Sequence, residues 1–129
     1  MNGDIKMKEK REKRLNSEFQ REIYEILTTK VKDVRLTEMF SITSVHTTAD
    51  LKQAKVYLSI FSMNEERKAA TFEAIKAAAG FVRREISARM HIRTVPEFTF
   101  LLDNRAEYGE KIDKILNQIH KNGNGDENA

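Results

Sequence analysis

Apolar residues recur along this chain with two different periods, and the places where one period gives way to the other lay out the secondary structure. Leu15, Phe19, Ile23, Ile26, Leu27 and Val31 follow steps of mostly three and four, which predicts one apolar stripe along a long first helix with charged faces elsewhere. From Phe40 to Thr47 the composition turns β-branched, and Asp50-Leu51 reads as a turn into a second strand. In that strand Ala54, Val56, Leu58 and Ile60 alternate with Lys55, Tyr57, Ser59 and Phe61, the period of a sheet with one face on the core.

Helical spacing then returns. Asn64 is placed to cap a helix whose first turn carries Glu65 and Glu66, where carboxylates complement the positive end of the helix dipole. Its apolar face runs through Phe72, Ile75, Ala79, Val82, Ile86 and Met90 without losing phase, so periodicity permits one long helix or two meeting at a kink. Gly80 costs the middle of such a helix about 1 kcal/mol relative to alanine and is the expected hinge. Pro96 ends the helical stretch, Phe98, Phe100 and Leu102 alternate as a third strand, and a last helix is expected from Asn104. That helix would bury Tyr108, Ile112, Ile115, Leu116 and Ile119.

The resulting order is α-β-β-α-α-β-α. The helical pair between the second and third strands is the long crossover that parallel pairing requires. An α+β domain follows, a three-stranded mixed sheet with helices packed on one face. Residues 1–10 are polar and expected to be a flexible N-terminus. Residues 11–121 form the expected domain, and residues 122–129, rich in glycine and asparagine, a disordered tail.

Charge changes the picture more by placement than by amount. The 129 residues carry a formal charge of only +3, but from Lys76 to Arg93 five cations (Lys76, Arg83, Arg84, Arg89, Arg93) face one anion, Glu85, a net of +4. The outward stripe of this helical pair is Ala77, Gly80, Phe81, Arg84, Ala88 and His91. A solvated face is normally rich in lysine and glutamate, whereas here small residues allow close approach, arginine can pair with phosphate, and Phe81 can stack on a base. The competing explanation is that the stripe packs against another helix of the domain. Arg11 and Arg14 on the first helix, interleaved with glutamates, and Lys55 on the polar side of the second strand are secondary candidates for RNA contact.

Catalytic chemistry finds little support. With no cysteine, thiol nucleophiles and thiolate metal sites are excluded. His46, His91 and His120 lack ligand-spaced partners, and there is no phosphate loop or nucleophile elbow. No enzyme activity, cofactor or metal is expected. Neither a secretory signal nor a membrane-length apolar run is seen, so a cytoplasmic monomer with no membrane association is expected.

Ala78-Ala79-Gly80 followed by Phe81-Val82-Arg83-Arg84 resembles the ribosome-binding factor A family, as do Asp50-Leu51 with Ala54-Lys55-Val56-Tyr57, the run from Arg93 to Phe100, and Asp103 leading to Tyr108-Gly109 and Lys111-Ile112. The resemblance spans about Arg11 to Ile119, with Val34 and Arg105 standing where the family usually has proline and serine. It implies a type II KH-like fold in which an Ala-x-Gly kink, here Ala78 to Gly80, replaces the glycine-rich loop of ordinary KH domains. Glycines at 3, 80, 109, 123 and 125 include no pair three apart, so the G-x-x-G clamp on single strands is missing and recognition by backbone charge and shape is expected. The resemblance further implies binding to immature 30S subunits and 16S ribosomal RNA, support of 5′-end processing, cooperation with assembly GTPases, and importance in the cold. Two other readings stay open on the residues alone: a KH-like binder of messenger or small RNAs, and a protein-interaction adaptor that docks a partner helix on the Ala/Phe stripe.

Overall fold

The computed structural model describes residues 2–103, with side chains from Met7 onward. The expected last helix and the tail lie outside the described residues.

Helix α1 (Asn2–Thr29) begins well ahead of the expected start near Arg11. Residues 7–10 of this early stretch are exposed, and lysine, glutamate and methionine favour helix there by propensity. Packing takes over at Leu15, and Phe19, Ile23, Ile26 and Leu27 are fully buried. The helix closes where the Thr28 and Thr29 hydroxyls donate to the carbonyls of Tyr24 and Glu25 at 2.8 and 2.6 Å, side-chain bonds that compete with further helix.

Strands β1 (Met39–Thr47) and β2 (Gln53–Phe61) pair antiparallel, with Ile42 opposite Leu58 and Val45 opposite Val56. Thr43 is the extra residue of a bulge. Its hydroxyl donates to Asp103 Oδ2 at 2.7 Å while the Asp103 amide donates to the Leu58 carbonyl at 2.8 Å, so the bulge secures the exit of β3 (Glu97–Leu102). The hairpin turn depends on Leu51 at φ 59°, an uncommon conformation for a leucine. Thr48 and Asp50 hold it, their side chains bonded to each other at 2.7 Å and Asp50 accepting from the Lys52 amide at 3.0 Å.

β3 pairs parallel to β2, Ala54 opposite Phe98 and Val56 opposite Phe100, giving the order β1-β2-β3. The mixed sheet is the expected one, and its inner face (Ile42, Val45, Ala54, Val56, Leu58, Phe98, Phe100) is buried. Helices α2 (Glu65–Ala77) and α3 (Ala79–Arg89) form the crossover. Asn64 caps α2 as expected, its side chain accepting from the Arg67 amide at 3.0 Å. α3 runs antiparallel to α1, because Phe81 near its start shares a groove with Val31 and Arg89 at its end meets Glu22 and Glu25. Phe19 of α1 meets Phe98 edge to face, centroids 5.4 Å apart, where helix and sheet share one core.

The hinge differs from the expectation. The break falls at Ala78, which ends α2 and begins α3 with φ −83° and ψ −1°, and its amide is shared among the carbonyls of Ala74, Ile75 and Lys76. Ala78 is buried, so the bend is set by seating a small side chain on the core. Gly80 lies inside α3 without a positive φ, and a Cβ there would meet only the Arg84 guanidinium at 3.6 Å. Gly80→Ala is therefore expected to raise stability by about 0.5–1 kcal/mol through helix propensity. Thermal unfolding checks this, and a lowered midpoint would show that the glycine is needed for the bend.

Candidate nucleic-acid interface

Because α3 packs Val82 and Ile86 into the core, the residues between them point away from it. Ala77, Gly80, Arg84, Ala88 and His91 are exposed, and Phe81 is half-buried against the core edge. Arg84 and Arg93 are both exposed, and neither makes a hydrogen bond or ion pair among the described residues. These two guanidinium groups, one on α3 and one in the loop after it, are the unengaged cations of the basic run from Lys76 to Arg93 among the described residues.

The other basic candidates divide. Arg83 is exposed but donates from Nε and Nη2 to the Val95 carbonyl at 3.3 and 3.1 Å, which holds the loop leading to Pro96. Lys76 pairs with Glu73 at 2.8 Å and lies 4.8 Å from the centroid of the Phe72 ring. Both keep charge at the surface while serving the fold. Arg89 is engaged more deeply, with Nη1 at 3.2 Å from Glu22 and 3.3 Å from Glu25, and Nε at 3.9 Å from Glu85. The hydrogen bond to Glu22, chiefly, and the attraction of Glu25 raise its pKa against the opposing desolvation. Arg89 thus ties α3 to α1, with three carboxylates already around it. Ala78 is mostly buried at the helix break and reaches the surface only as part of a groove lining.

Lys55 is exposed on the far face of the sheet, beside His46 and Thr99 and away from the helices. It does not join the helical-pair surface. Arg11 and Arg14 are exposed on α1 and make no ion pair among the described residues. The end of α3 meets α1 at Glu22 and Glu25, eight residues and more past Arg14.

Two further cations were missed in the sequence. Lys30 and Lys32, just past α1, rim a groove of about 310 Å³ that Val31, Asp33, Ala74, Ala77, Ala78 and Phe81 complete. Their separation from Phe81 by some fifty positions hides the grouping, although two lysines flanking an apolar Val31 at a helix end were a usable signal. Asp33 does not neutralise them. Arg35 grips its carboxylate at 2.7 and 3.1 Å, and that hydrogen bond, reinforced by the Arg35 amide, lowers its pKa from 3.8 to about 2. Because the folded-state value is depressed, the stabilisation is complete above about pH 3.8 and is lost as pH falls through about 2. An NMR titration of Asp33 is expected to show a midpoint of about 2, and Arg35→Ala to return it toward 3.8. An unchanged midpoint in that variant would show that the pair does not form.

Among the described residues, no cluster of histidine, aspartate and glutamate could hold a metal ion, and no helix is long and apolar enough to cross a membrane. The arrangement offers charge, one aromatic ring and small side chains, which are means of binding.

Known proteins share this sequence pattern and fold. The family model of ribosome-binding factor A matches residues 11–116. A ribosome-binding factor A of Clostridium botulinum is 46% identical over 106 residues, covering 82% of this chain and 91% of its own. One from Caldanaerobacter subterraneus is 45% identical over 118 residues, covering 92% and 95%. The solution structure of a Thermotoga maritima ribosome binding factor A superposes with a TM-score of 0.61 at 32% identity, over 70% of this chain and 85% of that one. A Thermus thermophilus ribosome binding factor A, fitted into a cryo-electron microscopy map of its complex with the 30S subunit, has a TM-score of 0.55 at 20% identity, over 68% and 90%, and agrees in fold. With its helix break at Ala78, its mixed sheet and this span of sequence identity, the chain belongs to the ribosome-binding factor A family.

Proposed function

We propose that this protein binds the immature 30S ribosomal subunit by contacting 16S ribosomal RNA, and that it assists late maturation and processing of the RNA 5′ end. The observation that carries the reading is Arg84 on α3 together with Arg93 in the loop that follows: both are exposed and unengaged among the described residues, and Arg84 shares its side of α3 with Gly80 and Ala88. Cations beside small residues attract a phosphate backbone and let it approach. Family membership supplies the ribosome, and the Thermus relative bound to its 30S subunit supports the choice of particle.

The contact surface in this reading comprises Gly80, Phe81, Arg84, His91 and Arg93, with Arg11 and Arg14 extending it along α1 and Arg83 and Lys76 adding surface charge. The protein acts as a cytoplasmic monomer with no chemistry of its own, within a domain of residues 11–121. Nucleotide hydrolysis during maturation belongs in this reading to separate assembly GTPases. Sedimentation of cell lysate tests the proposal: the protein is expected with free 30S particles and absent from polysomes. Migration with messenger ribonucleoprotein, or 30S association that survives digestion of the RNA, would overturn it.

A further inference from the structure

The groove beside the helix break has a shape that charge attraction alone does not require. Ala74, Ala77 and Ala78 provide small walls, half-buried Phe81 completes the lining with Val31, and the volume is about 310 Å³. Lys30 and Lys32 are exposed on its rim, and their ammonium groups make no ion pair among the described residues. The rim's one carboxylate, Asp33, is held by Arg35, so the groove presents an apolar slot beneath unopposed positive charge.

We propose that this groove receives one unstacked ribonucleotide, its base lying along Phe81 over the alanines and its flanking phosphates meeting Lys30 and Lys32. The inference rests on the RNA-binding reading above and adds to it a single-stranded substrate feature and two residues from outside the helical pair. Charge complementarity selects a polyanion, and the apolar slot selects one with a flat exposed face. A duplex keeps its base faces stacked and cannot fill the slot, so the nucleotide belongs to a loop, bulge or free end. The lining side chains other than the lysines and the already paired Asp33 are alanine, valine and phenylalanine, which leaves no side chain to read a base edge. The groove therefore accepts any base.

The test is an NMR titration of the full chain with single-stranded hexa-adenylate and, separately, with a blunt RNA duplex of equal length. The single strand is expected to shift the Phe81 ring and Ala77 methyl resonances, and the duplex to leave them in place. Lys30→Ala with Lys32→Ala is expected to weaken hexa-adenylate binding about tenfold, and Phe81→Leu by a similar factor. The lysine pair is exposed, so it keeps the test valid if Phe81→Leu disturbs folding. Shifts confined to Arg84, His91 and Arg93, or unchanged affinity in the lysine variant, would overturn the proposal. Pelleting of the same proteins with purified 30S separates the two readings. A wild-type protein that pellets with 30S but fails the titration retains the RNA-binding function and loses the nucleotide slot, while one that fails both refutes both.

Discussion

Arg84→Glu combined with Arg93→Glu is expected to lower affinity for 30S subunits by about a hundredfold while leaving the fold intact. Neither side chain makes a hydrogen bond or ion pair among the described residues, so folding loses no polar interaction there. Binding loses two attractions and gains two repulsions against the phosphate backbone, and the release of counterions that favours association falls accordingly. The salt dependence of binding should become shallower in the same variant. Lys55→Glu is the matched control, since it reverses charge on the opposite face of the sheet and is expected to leave affinity within about twofold. Arg83 is a poorer choice for reversal, because its guanidinium holds the Val95 carbonyl and its loss would mix folding with binding. Pelleting assays over a salt series check the prediction, and wild-type affinity in the folded double variant would remove the α3 face from the interface.

Phe19→Ala is expected to destabilise the domain by about 3–5 kcal/mol, the range for deleting a buried aromatic ring and leaving a cavity. Phe19 is fully buried, lies on the helix that covers the sheet, and meets Phe98 of β3 edge to face. A loss of that size is a large share of the stability of a domain this small, so the variant should unfold at a markedly lower denaturant midpoint. A change below about 1 kcal/mol would mean that α1 and β3 do not share a core.

The legible parts of the fold are those in which local pattern and burial agree. The alternation from Ala54 to Phe61 placed every side chain of β2 on its observed face, and Asn64 before two glutamates located the start of α2. What stayed hidden depends on contacts distant in sequence. Gly80 marks where a helix is intrinsically weak, whereas the break occurs at Ala78, where a buried methyl group is seated on the core. Helix propensity carries no information about that seating. Arg89 reads as one more cation of a basic run, yet Glu22, 67 positions earlier, engages it from α1. Lys30 and Lys32 join Phe81 only once α1 and α3 lie antiparallel. The length of α1 was underestimated for the opposite reason: the sequence ahead of Leu15 has no apolar stripe to mark it as helix.

The central claim, that the outward face of α3 meets ribosomal RNA, is tested most directly by site-specific photocrosslinking on purified immature 30S subunits. A benzophenone amino acid at Ala88, exposed on that face, is compared with one at Met39, exposed on the far side of the sheet. Crosslinks from position 88 to 16S ribosomal RNA, with few or none from position 39, are the predicted result. Crosslinks to RNA from position 39 alone, or to protein alone from position 88, would contradict the account.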